Sequence, residues 1–285
     1  MEYLIGIDLG TSGTKTVLFD RLGKVIASAT VEYPLYQEKN GWAEQDPLDW
    51  WHASCETLQS VIGQSGVDPR DIKGLGISGQ MHGLVMLDKQ GQVLRRSILW
   101  CDQRTAKQCE EITQRVGKER LIQITANPAL TGFTASKSLW VRENEPELYA
   151  QCAHILLPKD FVRYKLTGEF ATEVSDASGM QLLDVPHRCW SQEVLEKLDI
   201  APALLAKVYE SPEITGTITS EAAALTGLAA GTPVVGGAGD NAAAALAADY
   251  LFLGVKPQMM ADLLADLAPV LAARRGRFVL VTMAA

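Results

Sequence analysis

Asp8 closes an apolar run and is followed by Gly10-Thr11-Ser12-Gly13-Thr14-Lys15. Small residues in such a turn let backbone N–H groups approach an anion, and the hydroxyls of Thr11 and Ser12 add donors. Thr11, Ser12, Gly13 and Lys15 are therefore candidate phosphate-binding residues. Asp8 suits Mg²⁺, held directly or through water, because Mg²⁺ takes few carboxylates and keeps several waters. The spacing of a Walker A loop is absent, and an ordinary hairpin turn would account for the same residues. A second Gly-rich turn, Gly236-Gly237-Ala238-Gly239, precedes Asp240-Asn241 and an Ala-rich stretch. There Asp240 is either a helix N-cap or a general base that takes the proton of an alcohol nucleophile during phosphoryl transfer. N–H groups at the helix start beside it would favour an anionic substrate group.

Two further runs could line a site. Gly79-Gln80-Met81-His82-Gly83 lies where an apolar strand ends, which is where α/β folds place ligands. Gln80 can donate and accept, and His82 could donate to a sugar hydroxyl. The alternative is a satisfied loop histidine. Trp100-Cys101-Asp102-Gln103-Arg104 could form a polar wall of a sugar pocket, with Trp100 supplying an apolar face. The alternative is a surface turn with an Asp–Arg pair of little energetic worth.

The elements that position these residues follow from pattern. Tyr3–Ile7, Thr16–Asp20 and the run from Val25 read as consecutive strands around turns at 10–13 and 22–24. Asp46-Pro47 opens a helix, with Asp46 as N-cap and Pro47 at the first position. Ile72–Ser78 is a buried strand, and Val85–Leu87 and Ile98–Trp100 are shorter ones. Residues 103–116, 136–149 and 192–206 have helical spacing. Leu156-Leu157-Pro158-Lys159-Asp160 introduces another helix, and Thr232–Gly237 is a strand entering a turn. Strands first, then strand–helix alternation, predict an α/β domain with a mixed sheet and flanking helices.

The 285 residues amount to about two domains at about 150 residues each. A net charge of −8 argues against non-specific nucleic-acid binding and against an anionic membrane surface. No apolar run approaches a membrane span, and the N-terminus lacks a basic signal-peptide region. Five cysteines without a CxxC read as reduced thiols in a cytoplasmic protein.

Taken in order, Asp8–Lys15, Gly79–Gly83, Trp100–Arg104, Leu156–Asp160 and Gly237–Ala243 resemble the N-terminal lobe of the FGGY-type carbohydrate kinases. The resemblance runs from about residue 3 to about 247. Gln80-Met81-His82-Gly83, Glu44-Gln45-Asp46-Pro47, Pro158-Lys159-Asp160 and Thr167-Gly168-Glu169 favour the branch acting on xylulose over those acting on glycerol or ribulose. It implies an actin-like, ribonuclease-H-like lobe and ATP-dependent phosphorylation of D-xylulose. It implies ATP and Mg²⁺ as cofactors, with Asp8 near the metal and phosphates and Asp240 as catalytic base. Met81, His82, Asp240 and Asn241 would contact the sugar, and a homodimer stays open. Cys101 stands where the family usually has Asn. The relatives' second lobe, which carries most of the adenine and ribose pocket, is not matched, so weak turnover is expected. A non-catalytic sugar-binding lobe, or a related kinase for another ketose or polyol, is the alternative.

Residues from about 248 differ in character. Ala248–Met260, with its Val255-Lys256-Pro257-Gln258 run, is similar to part of pyrroline-5-carboxylate reductase, without a dinucleotide-binding glycine fingerprint. A strand at Tyr250–Val255, a helix to about Ala273 and a strand at Phe278–Met283 are expected, each strand needing an edge to pair with. The expected domains are thus 1–247, sugar-binding, and 248–285.

Overall fold

The computed structural model describes residues 2–247, 250–253 and 279–282. The chain divides into two compact units, Met1–Asp240 and Asn241–Ala285.

The first unit opens with β1 (Tyr3–Leu9), β2 (Gly13–Asp20) and β3 (Val25–Glu32), successive antiparallel neighbours joined by the two expected turns. Alternation along β1 buries Ile5, Ile7 and Leu9 and leaves Asp8 on the opposite, exposed face. Gly13 is required by its neighbour: a Cβ there would lie 2.7 Å from the Val31 carbonyl oxygen. The short β4 (Glu44–Gln45) leads into α1 (Pro47–Ser65). Asp46 caps α1 by accepting from the Leu48 amide at 2.9 Å, Pro47 starts it, and Gly66 in the left-handed region ends it. The Thr57 and Thr16 hydroxyls, 2.7 Å apart, tie α1 to β2.

β5 (Ile72–Gly79) follows and runs parallel to β1. A helical region comes next: β6 (Val85–Leu87), β7 (Ser97–Ile98), α2 (Ala106–Val116), α3 (Lys118–Thr125), α4 (Thr134–Asn144), α5 (Pro146–Tyr149) and β8 (His154–Leu156). β6 pairs with β8, and β7 with β4. Then come α6 (Pro158–Thr167), β9 (Ala171–Glu173), α7 (Val174–Ala177), β10 (Leu183–Asp184), β11 (Cys189–Trp190), α8 (Gln192–Leu198) and β12 (Lys207–Tyr209). β13 (Ile214–Thr217), α9 (Ser220–Thr226), β14 (Pro233–Val235), β15 (Ala238–Gly239) and α10 (Asp240–Ala247) complete the series.

The main sheet has the order β13–β14–β5–β1–β2–β3, and β15 pairs with β5 further along the same edge. It is mixed and flanked by helices, as the alternation of elements predicts. One core packs the sheet against α1, α6 and α9, through Ile7, Leu18, Trp50, Leu58, Leu75 and Phe161. A second lies among α2, α3, α4, α8 and the β6–β8 pair, around Ile112, Leu139, Ile155 and Leu195. Gly237 lets the chain pass from β14 to β15: its φ is +80°, and a Cβ would fall 2.0 Å from the Ile77 carbonyl oxygen.

Several elements are shorter than the spacing predicts. The helix expected over 136–149 is two, because Pro146 cannot donate its amide and Glu145 leaves helical geometry at φ −134°. The helix expected over 192–206 stops at Leu198, where Asp199 turns left-handed at φ 52°. The strand expected over Ile98–Trp100 ends at Ile98.

In the second unit β16 (Tyr250–Leu253) and β17 (Val279–Thr282) pair in parallel, Tyr250 opposite Val279 and Leu253 opposite Thr282. The two tail strands thus supply each other's edge. The expected tail helix and the Val255-Lys256-Pro257-Gln258 run lie outside the described residues. Among the described residues, no helix is long and apolar enough to cross a membrane.

Candidate functional site

Three parallel strands end in register. Leu9 of β1 is opposite Gly79 of β5, and Gly79 is opposite Gly239 of β15. Asp8 of β1 and Asp240, the residue just past β15, therefore flank the carboxyl end of β5, their strands about 10 Å apart at about 4.8 Å per strand. This is the edge where open α/β sheets bind ligands. Asp8 is exposed and accepts from the Ser78 hydroxyl at 3.2 Å. Lys15, also exposed, is its register partner on β2.

The β1–β2 turn is closed by the Gly10 amide donating to the Gly13 carbonyl at 3.0 Å. It is held from below by side chains. Gln45 Nε2 donates to the Thr11 carbonyl at 2.7 Å, the Tyr33 hydroxyl donates to the Gly10 carbonyl, and Trp100 Nε1 donates to Thr11 Oγ1 at 3.1 Å. Burial, offset in part by the Thr14 hydrogen bond and reinforced by the Asp8 charge, pushes the Tyr33 phenol up to about 12, so it keeps its proton and its bond to the turn. The amides of Thr11 and Ser12 donate to no group among the described residues. Exposed Ser12, two undirected amides and nearby Lys15 suit phosphate oxygens. Asp8 suits a magnesium ion shared with phosphates and waters. Among the described residues no three His, Cys, Asp or Glu gather as metal ligands.

Gln80 is 1% exposed and directs its amide to this support. Its Nε2 donates to Gln45 Oε1 at 3.0 Å and to the Gly10 carbonyl at 3.4 Å, and its Oε1 accepts from Thr11 Oγ1 at 3.4 Å. Trp50 Nε1 donates to the same Gln45 oxygen at 3.1 Å. Gln80 thus braces the β1–β2 turn, whereas the sequence suggests a sugar contact.

Met81 and His82 are half-buried at the same edge. Met81 lies flush on Gly239, where a Cβ would come within 2.8 Å of its Cγ. His82 takes a left-handed φ of 67°, packs edge-on to Phe133 with ring centroids 4.7 Å apart, and places Nδ1 2.9 Å from the Gly179 carbonyl oxygen. Burial lowers the His82 pKa to about 4, helped by the nearby Lys137 charge and opposed by the Gly179 bond. The ring is neutral at pH 7, so the proton resides on Nδ1 and donates to Gly179. Nε2 is then an acceptor, and it meets no partner among the described residues. The sequence suggests donation to a hydroxyl; the tautomer reverses the direction. The unfolded chain protonates this histidine near 6.5, and the folded one does so only near 4. Its contribution to stability is therefore present above about 6.5 and is lost as pH falls toward 4. If Nε2 accepts from a sugar, affinity should stay flat from about pH 5.5 to 8, read by calorimetric titration. An affinity that titrates with a midpoint near 6.5 would contradict the assigned tautomer.

Asp102 and Arg104 do not face an opening. Asp102 is 0% exposed and accepts from the Ala43 amide at 2.7 Å and from Arg104 in bidentate fashion. The Arg104 side chain, 1% exposed, also reaches Glu44 at 2.7 Å and lies 3.6 Å above the Trp42 ring. Their polar atoms are satisfied by each other and by the segment before β4, so they shape the loop that carries Trp100. Trp100 itself is 47% exposed, and its Nε1 donates to Thr11 Oγ1.

Asp240 begins α10 directly after β15. Asn241, the other sugar contact expected there, belongs to the second unit. Arg163 donates to the Gly236 carbonyl, and Gly239 donates to the Ser175 hydroxyl at 3.2 Å. Sequence reasoning misses Gln45, Tyr33, Ser78 and Ser175. Gln45 carries a signal, since it lies in the Glu44–Pro47 run; the others are isolated polar residues without a pattern.

The chain matches the N-terminal domain of the FGGY family of carbohydrate kinases over residues 3–247. It is 46% identical over 254 residues to a xylulose kinase of Bacillus subtilis, covering 89% of this chain and 51% of that protein. Among solved structures, xylulose kinase from Rhodospirillum rubrum superposes with a TM-score of 0.84 at 30% identity, over 90% of this chain and 53% of that one. Gluconate kinase from Lactobacillus acidophilus superposes with a TM-score of 0.82 at 28% identity, over 88% and 52%. The chain spans about half the length of the curated relatives it matches.

Proposed function

Since the chain belongs to the FGGY family of carbohydrate kinases, we propose that it supplies the sugar-binding and phosphate-turn half of an ATP-dependent D-xylulose kinase. The observation that carries this reading is the register of three strand ends, which sets Asp8 and Asp240 on either side of β5, the strand that Met81 and His82 closely follow. Similarity to xylulose kinases favours D-xylulose as the acceptor.

The residues divide the work. Asp240 accepts the proton of the terminal sugar hydroxyl as that oxygen attacks phosphorus. His82 Nε2 accepts from a second hydroxyl, and Met81 supplies an apolar wall against Gly239. Trp100 offers an aromatic face. The Thr11 and Ser12 amides, with the Ser12 hydroxyl and Lys15, hold phosphate oxygens. Asp8 would hold Mg²⁺, which supplies charge neutralisation on the transferring phosphoryl group. A related reading, in which the acceptor is a different ketose, a polyol or an aldonate, rests on the likeness to the gluconate kinase.

Mg-ATP added to labelled protein is expected to shift the Thr11 and Ser12 amide resonances in a ¹H–¹⁵N spectrum. Unmoved Thr11 and Ser12 amides at millimolar Mg-ATP would remove the phosphate role of the β1–β2 turn.

A further inference from the structure

We infer that Ser175 and Glu173 are positioning residues that fix the carboxylate of Asp240, a role that rests on the reading of Asp240 as the base. The residue just before Asp240 is Gly239, whose amide donates to Ser175 Oγ at 3.2 Å. The Ser175 hydroxyl donates in turn to Glu173 Oε1 at 2.9 Å. Glu173 is fully buried and collects the Ser175 amide at 2.8 Å, the Asp176 amide at 3.0 Å and the Ser211 hydroxyl at 2.7 Å. Lys159 Nζ, also fully buried, lies 3.3 Å from the same Oε1.

The chain of contacts therefore runs from a buried lysine through a carboxylate and a hydroxyl to the backbone of the residue adjoining Asp240. Its other side is held equally firmly. Ser211 accepts from the Gly237 amide through its carbonyl at 3.0 Å, and Arg163 donates to the Gly236 carbonyl at 2.5 Å. Residues 236–239 are thus tied at three points to one buried ionic group. β15 is only two residues long, so these three ties add to a short pairing with β5. A carboxylate acting as base must lie within hydrogen-bond reach of the hydroxyl it deprotonates, and a displacement of about 1 Å in such a group is costly. Glu173 and Ser175 reach no reacting atom themselves; they act through Gly239.

The test uses Ser175→Ala and Ser175→Thr in the chain as it stands, with three readouts. The Gly239 amide resonance, recorded without sugar, should move in Ser175→Ala and return in Ser175→Thr, which keeps the hydroxyl. D-xylulose affinity, by calorimetry, should fall about tenfold in Ser175→Ala and recover in Ser175→Thr. The thermal midpoint of each variant is recorded as well, so that affinities are compared only between samples folded at the temperature of the titration. An unmoved Gly239 amide, or a Ser175→Ala variant that binds D-xylulose like the parent, overturns the positioning role. So does a loss of affinity that Ser175→Thr does not repair. If the parent chain itself fails to bind D-xylulose, the sugar reading falls and the positioning role falls with it. A parent that binds places any loss in the variants on Ser175 alone.

Discussion

Lys159→Met is expected to destabilise the fold by about 3–5 kcal/mol, the range for breaking a buried ion pair from one side. Lys159 and Arg163 face Asp160, Glu173 and Asp176, and all five side chains are fully buried. Lys159 Nζ lies 2.9 Å from Asp160, 3.3 Å from Glu173 and 3.4 Å from Asp176. Arg163 lies 2.6 Å from Asp160. Burial alone would discharge the lysine, but the carboxylates of Asp160 and Asp176, opposed by Arg163 and aided by Glu173, outweigh it and raise its pKa. Without that ammonium, the buried Glu173 would lose its cation and Asp160 would keep only the Arg163 guanidinium. Asp176 behaves oppositely. Burial first, then the Asp160 and Glu173 charges, push its pKa well above the ordinary carboxylate range despite Lys159. A carboxyl raised in the folded state contributes stability that is full below the unfolded pKa of about 3.9 and is lost as pH rises through its folded pKa. Asp176→Asn, which keeps the neutral form, should therefore be neutral or stabilising at pH 7. Urea unfolding of both variants measures the contrast. Equal destabilisation by the two substitutions, or none by Lys159→Met, would contradict the charge assignment.

Under the proposed function, Asp240→Asn is expected to lower xylulose phosphorylation by about 10²–10⁴-fold, the contribution of a positioned general base. Turnover is followed by ³¹P detection of the sugar phosphate at high protein concentration and long incubation. A second consequence appears without turnover. A carboxylate accepting the terminal hydroxyl makes a charge-assisted bond worth about 1.5–3 kcal/mol, so Asp240→Asn should weaken D-xylulose binding by about ten- to a hundredfold. The analogue lacking the terminal hydroxyl should bind the parent and the variant alike, which isolates the pair as a double-mutant cycle does. If the variant discriminates against the analogue as strongly as the parent does, the hydroxyl is read by another group.

The positions of Asp8 and Asp240 are legible in the sequence because glycine punctuation is local. Gly10 and Gly13 mark one strand end, and Gly236, Gly237 and Gly239 mark another. Asp46-Pro47 announces α1 by the same kind of local rule, and its cap geometry follows it. Asp102 and Arg104 show where local reading stops. An Asp and an Arg two residues apart look alike whether exposed or buried. Here Trp42, Trp140 and Glu44, brought from other segments, enclose the guanidinium. The tautomer of His82 is hidden for the same reason, since the Gly179 carbonyl that sets it comes from a different turn. Glu173 and Ser175 lie around a four-residue helix, too short to show periodicity. Pro146 is a breaker set inside the helical spacing over 136–149, and in the folded chain the breaker prevails over the spacing.

The proposed ketose site at the carboxyl edge of β1, β5 and β15 is open to one decisive experiment, calorimetric titration of this chain with D-xylulose, D-ribulose, glycerol and gluconate. Saturable binding of D-xylulose is expected, about tenfold or more tighter than the other three, and Asp240→Asn should weaken it. A cooperatively folded sample that shows no heat with D-xylulose, or that binds gluconate or glycerol more tightly, would overturn the assignment of this edge as a ketose site.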